Sequence, residues 1–83
     1  LQFHEHIDVR GMRVAEAVET VQDFVDEAIM LGFSEIRILH GKGTGALKEE
    51  IRSYLRTVPL VRSAKDEHEG MGGAGITVVK LDI

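Results

Sequence analysis

The stretch RILHGKGTGALKEEIRSYL, residues 37 to 55, carries two different periodicities with five residues between them. Up to His40 the pattern is that of a strand, with Ile36 and Ile38 apolar in SEIRILH (residues 34 to 40). From Leu47 the apolar positions Leu47, Ile51, Tyr54, Leu55 and Val58 fall on one side of a helix that Pro59 stops. Between them stands GKGTG, residues 41 to 45. The start of a helix leaves about four backbone N–H groups without partners and carries roughly half a positive charge. Glycine at such a junction removes the Cβ atoms that would hold a ligand away, so the amides can point at phosphate oxygens. Lys42 adds a charge and Thr44 is placed to cap the helix through its hydroxyl. A tight connection needs one glycine; three with a lysine among them predict an anion cradle made of Gly41, Lys42, Gly43, Thr44 and Gly45. The spacing fits neither a Walker loop nor the dinucleotide-binding fingerprint.

Working outward, HIDVRG (residues 6 to 11) alternates Ile7 and Val9 with polar neighbours and predicts a short strand. Val14, Ala17, Val18, Val21, Phe24, Val25, Ala28 and Ile29 then follow helical spacing, with Glu16, Glu19, Asp23, Asp26 and Glu27 as a solvated outer face and Gly32 as the stop. A strand, a helix and a strand in succession form a βαβ unit, so the first two strands are expected to be parallel. Beyond Pro59, LVRSAKDEH (residues 60 to 68) reads as a weaker strand, EGMGGAG (69 to 75) as a glycine-dense turn and ITVVKLDI (76 to 83) as the strongest strand. The last two are expected to pair antiparallel. The order is β-α-β-α-β-β, an α/β chain (an α+β two-layer sandwich) with a mixed four-stranded sheet and two helices on one face. Strand order cannot be read from these patterns.

An 83-residue chain makes a single domain. No apolar run approaches membrane-spanning length. There are no cysteines, which removes disulfides and thiolate metal sites and fits a reducing, cytoplasmic setting. The chain starts with Leu1 rather than Met, and residues 1 to 83 are expected to be one domain cut from a longer protein. The net charge of -4 is unevenly spread. Residues 1 to 35 hold eight acids and two bases, whereas residues 36 to 65 hold seven bases and two acids. A basic segment of this kind binds polyanions even in an acidic chain.

In open α/β sheets ligands collect at the carboxyl ends of parallel strands. That rule brings Asp8 and Arg10 of the first strand to His40 and Lys42 of the second. Chemistry at a bound phosphate would need a proton acceptor, a proton donor and cations for the charge. His40 suits proton transfer near neutral pH. Asp8 suits orienting His40 or acting as base, and Arg10 and Lys42 suit holding phosphoryl oxygens. Lys48, Arg52 and Arg56, four residues apart, read either as a solvated face or as a track for a polynucleotide backbone. Histidines at zinc spacing are absent, and only one carboxylate is expected at this end of the sheet, so a site that works without a metal is favoured, with a divalent ion as the alternative. Four aromatic residues are too few for base-specific stacking.

Taken together, IDVRGMR (residues 7 to 13), ILHGKGTGALK (38 to 48) and a glycine-rich turn before ITVVKL resemble the Smr (small MutS-related) domain over nearly the whole chain. Many such domains carry Leu-Asp-Leu-His-Gly in the first motif; Arg10 stands at that histidine here. The arginine version is similar to the domain at the C-terminus of bacterial type-two MutS-like proteins. The resemblance implies a fold like the C-terminal domain of translation initiation factor three. It also implies an endonuclease for DNA or RNA with little sequence preference, acting in recombination control, DNA repair or ribosome rescue. Carried over by motif, Asp8 and Arg10 match the first and His40, Gly41, Lys42, Gly43 and Gly45 the second. Joined to the reading of the residues, this makes Asp8, Arg10 and His40 the expected catalytic groups and Gly41, Lys42, Gly43, Thr44, Gly45, Lys48 and Arg52 the expected phosphate- or nucleic-acid-binding ones. No cofactor is implied for the domain itself; ATP use and dimerisation belong to the parent protein, and the ribosome is a further implied partner. The competing readings are a module that docks on nucleic acid or ribosome, and a small phosphate-ligand domain.

Overall fold

Both periodicities carry into the computed structural model, which describes residues 3–83. β1 (His6–Asp8), α1 (Val14–Leu31), β2 (Glu35–Leu39), α2 (Ala46–Leu55), β3 (Val61–Asp66) and β4 (Ile76–Leu81) follow in the expected order. The sheet runs β1-β2-β4-β3. β1 and β2 are parallel, with Ile7 opposite Ile38 and Asp8 opposite Leu39. β4 lies antiparallel to both β2 and β3, so the last strand in sequence sits inside the sheet.

Strand pleating sorts the residues between two faces. Ile36 and Ile38 of β2 and Thr77, Val79 and Leu81 of β4 are buried, and the register places them side by side. Above them lie Ala17, Val21, Phe24, Val25 and Ala28 of α1 and Ile51 and Leu55 of α2, which join them in a single core. The other face, with Glu35, Arg37, Leu39, Ile76, Val78 and Lys80, carries no helix and is only partly covered. This is a two-layer α+β arrangement.

The boundaries differ from the expected ones for local reasons. β1 ends at Asp8 instead of Gly11, because the Asp8 carboxylate accepts the Arg10 amide at 3.0 Å and turns the chain. α1 starts at Val14, after an extended Arg13, and ends at left-handed Gly32 as expected. α2 stops at Leu55, three residues short of Val58: Thr57 closes a turn onto the Tyr54 carbonyl, and a residue preceding proline avoids the helical region. β3 is shorter than residues 60 to 68 and carries an irregularity between Val61 and Ser63. The EGMGGAG segment forms two 3-10 turns, Glu69–Met71 and Gly73–Gly75, rather than a loose hairpin loop.

One end of the sheet carries Gly11, His40 and Gly75. At the opposite end Phe3 packs on Phe24 and Phe33, with ring centroids 5.2 and 4.8 Å away. There too Leu81 donates to the Ser34 carbonyl and Asp82 to that of Leu60.

Candidate functional site

The parallel pairing of β1 and β2 delivers both glycine turns to one end of the sheet. Val9 donates to the Leu39 carbonyl at 2.9 Å, and the next residues diverge into Arg10-Gly11 and into His40-Gly41. Gly11 and residues 40–48 line a pocket of about 240 Å³, the size of one small anion with water. Its floor is held from below: the Gly75 carbonyl accepts from His40 N at 3.1 Å and from Gly41 N at 2.9 Å. A Cβ on Gly75 would lie 3.6 Å from the Gly41 α-carbon, and Gly41 itself has φ +80 with Arg10 methylenes 3.4 and 3.5 Å from where a Cβ would sit. Among the described residues the amides of Lys42, Gly43 and Thr44 have no hydrogen-bond partner. With the first amides of α2, they form a concave run of donors beside the exposed Lys42.

The residue flanking α2 is Gly45 (φ +85), not Thr44. The Thr44 hydroxyl lies 3.4 Å from Ala46 N, too far for a strong cap, so its expected capping role is corrected to a marginal one. Being exposed, that hydroxyl is available to a ligand.

Asp8 and Arg10 form a fork-on-fork pair: Arg10 Nε donates to Asp8 Oδ1 at 3.1 Å and Nη2 to Oδ2 at 2.9 Å. Their side chains are 49% and 59% exposed, so solvent screens the pair and it adds little stability. The Arg10 guanidinium and amide hold the Asp8 carboxyl below its usual range.

His40 is placed differently from the expectation. It continues the buried row of Ile36 and Ile38, whereas Asp8 sits opposite Leu39 on the helix-free face. Residue alternation thus sets the two on opposite faces at the same end of the sheet. Asp8 does not orient the imidazole; Thr77 and Gly41 do. His40 Nε2 lies 2.7 Å from Thr77 Oγ1, and Nδ1 lies 2.8 Å from the Gly41 carbonyl. The residue is 5% exposed. Burial lowers its pKa, and the charges of Arg52 and Lys48 push the same way against the opposing pull of the Gly41 carbonyl and Asp66.

Lys48 and Arg52 do not present a free basic track. Both grip one oxygen, Asp66 Oδ1, at 2.7 and 2.6 Å, and Arg52 also donates to Thr77 Oγ1 at 3.2 and 3.1 Å. Lys48 first, then Arg52, keeps the Asp66 carboxyl below its usual range. In this arrangement an internal carboxylate, that of Asp66, occupies both side chains. Arg56, the third member of the row, is exposed and unpaired among the described residues. Sequence reading missed Thr77; the only sign of it is one hydroxyl in the inward row shared with Val79 and Leu81. Among the described residues no three His, Cys, Asp or Glu side chains gather as a metal site, and no helix is long and apolar enough to cross a membrane.

A two-layer α+β sheet with an amide-lined glycine loop at the ends of its parallel strands defines the class. The Smr domain model matches residues 7–82, and the chain belongs to the Smr domain family. The Endonuclease MutS2 of Thermus thermophilus is 49% identical over 77 residues, covering 93% of this chain and 10% of that protein. The Endonuclease MutS2 of Carboxydothermus hydrogenoformans is 43% identical over 79 residues, covering 95% and 10%. The chain thus spans about a tenth of the curated relatives it matches. The crystal structure of the Smr domain of Thermus thermophilus MutS2 superposes with a TM-score of 0.90 at 49% identity, covering 94% of this chain and 98% of that one. YdaL, a stand-alone small MutS-related protein from Escherichia coli, shares the fold with a TM-score of 0.90 at 21% identity, over 95% of this chain and 65% of its own.

Proposed function

We propose that this chain is a nucleic-acid endonuclease domain of low sequence preference that holds a backbone phosphate in the GKGTG pocket. The observation that carries the reading is the run of unpartnered Lys42, Gly43 and Thr44 amides in the loop that lines a pocket of about 240 Å³, where the exposed Lys42 also stands and the Arg10 side chain lies against Gly41. Backbone donors that are already in place stabilise charge developing on phosphoryl oxygens without rearrangement. Lys42 and Arg10 neutralise that charge, Arg10 by turning its fork from Asp8 to the phosphate. Asp8, an exposed carboxylate at the same end of the sheet, is assigned the role of taking the proton of the attacking hydroxyl once Arg10 releases it. His40 supports the loop, since both ring nitrogens are engaged and the ring is buried. The relatives named Endonuclease MutS2 support the class of reaction. A bacterial, cytoplasmic setting, action on DNA or RNA, ribosome contact, and a parent chain supplying ATP use and dimerisation belong to the same proposal. On RNA the proposed cleavage uses no metal: the 2′-oxygen bonds to phosphorus as its proton passes to Asp8, the bond to the 5′-oxygen breaks, and that oxygen takes a proton from water.

Incubating the chain with single-stranded RNA, duplex RNA and DNA tests this. Lys42→Gln and Asp8→Asn are expected to lower cleavage by about 10²-fold or more, with chelator leaving the wild type active. Cleavage that chelator abolishes and magnesium restores overturns the metal-free form. Equal background cleavage by wild type and variants, with oligonucleotide still bound, favours a docking module instead. The Asp8–Arg10 pairing and the enclosed His40 favour that second reading, because no proton-transfer group stands free at the pocket in this arrangement.

A further inference from the structure

Behind the glycine loop the polar side chains join into one chain of hydrogen bonds. It runs from Asp66 Oδ1 to Arg52 Nη2 (2.6 Å), from Arg52 to Thr77 Oγ1 (3.1 and 3.2 Å), from Thr77 Oγ1 to His40 Nε2 (2.7 Å), and from His40 Nδ1 to the Gly41 carbonyl (2.8 Å). Thr77 is fully buried, and among the described residues no buried side-chain nitrogen or oxygen lacks a partner.

Donor and acceptor chemistry fixes every proton in this chain. A guanidinium has only donors, so Thr77 Oγ1 accepts from Arg52. A carbonyl oxygen has only lone pairs, so the hydrogen between His40 and Gly41 rides on Nδ1. The one hydrogen of the Thr77 hydroxyl is then left for Nε2, which is therefore bare. A neutral imidazole bearing its hydrogen on Nδ1 is the form opposite to the one that free histidine prefers. A doubly protonated ring would confront Thr77 Oγ1 with a third donor and strand the hydroxyl hydrogen.

We propose that Asp66, Arg52 and Thr77 are positioning residues that lock His40 as the Nδ1–H tautomer, and that His40 thereby sets the direction of the Gly41–Lys42 peptide in the glycine loop. The peptide unit is planar and trans, so its C=O and N–H point in opposite directions. Pinning the Gly41 carbonyl to the imidazole turns the Lys42 N–H away from the ring, and that amide is one of the three unpartnered donors. The left-handed φ of Gly41 is what lets the carbonyl reach back to its own neighbour. The loop's link to phosphate rests on the function proposed above; the tautomer does not.

Long-range ¹H–¹⁵N correlation NMR on histidine-labelled chain at neutral pH reads the tautomer directly. The wild type is expected to show His40 protonated at Nδ1 alone. Thr77→Val keeps shape but removes the hydroxyl; His40 is then expected to move to Nε2–H or a mixture. Affinity for a single-stranded oligonucleotide is expected to fall by up to about tenfold, the worth of one hydrogen bond. Thr77→Ser restores both readouts. Wild-type His40 protonated at Nε2 overturns the proposal without any variant, which keeps it open to refutation even if Thr77→Val does not fold. A tautomer that switches while affinity stays constant overturns the positioning role. A correct, switchable tautomer in a chain that binds no oligonucleotide removes the phosphate reading and leaves the hydrogen-bond chain standing.

Discussion

His40 shows how a residue conspicuous in sequence acquires a different part in three dimensions. The glycines around it announced the loop, and strand alternation was enough to place the imidazole with Ile36 and Ile38 instead of with Asp8. Its partner Thr77 was hidden because threonine is an ordinary strand residue, and nothing local says that its hydroxyl faces a ring 37 positions away. The lowered His40 pKa has a consequence with a definite sign. The folded chain keeps the ring neutral below pH 6.5, where an unfolded histidine takes up a proton. Stability should therefore decline as pH falls from about 6.5 towards the folded-state value. Urea unfolding at pH 7.5 and 5.5 checks this, and His40→Gln should flatten the difference. Glycine chemistry gives a second test. Gly72 has φ +119, and a Cβ there would lie 2.4 Å from Ile76 Cδ1, whereas at Gly41 (φ +80) the nearest atom is at 3.4 Å. Gly72→Ala is expected to cost about 2–3 kcal/mol and Gly41→Ala about 1–2 kcal/mol in denaturant melts.

Helix α2 is where sequence reading and structure diverge most usefully. Its inner face was legible, since Ile51 and Leu55 fall at core spacing and both are buried. Its basic row was not, because the acid that neutralises Lys48 and Arg52 comes from β3, an edge strand whose register is fixed only by pairing with β4. The element order and the two pairings tied to connection length were readable; insertion of β4 between β2 and β3 is a long-range choice that no local pattern records. Energetically the inner face dominates. Ile51→Ala should cost about 2–5 kcal/mol by leaving a void under the helix. Lys48→Gln, which loses a partly exposed ion pair, should cost less than about 1 kcal/mol. Thermal melts of both variants would reverse this ranking if α2 were held mainly by its charges.

At the level of the whole molecule, attraction to a polyanion has to arise locally, because the chain carries a net charge of -4. Lys48 and Arg52 are engaged by Asp66 and Arg10 by Asp8; in the proposed binding Lys42, and Arg10 once turned from Asp8, supply the contacts. Two phosphate contacts predict a slope of log K against log salt of about −1.4 for a single strand, and Lys42→Gln should reduce it by about half. Fluorescence anisotropy across a salt series checks this; a slope steeper than about −4 would mean that Arg56, Arg62 and Lys65 also touch the backbone. The sheet's polarity has one more result. Phe3 and Asp82 lie at the end occupied by Ser34 and Leu60, with the length of the strands separating them from Gly41. A tether attached at Ile83 therefore leaves from the far pole. Anchored to a solid support through Ile83, the chain should present its loop to solution and capture an oligonucleotide as well as it does untethered.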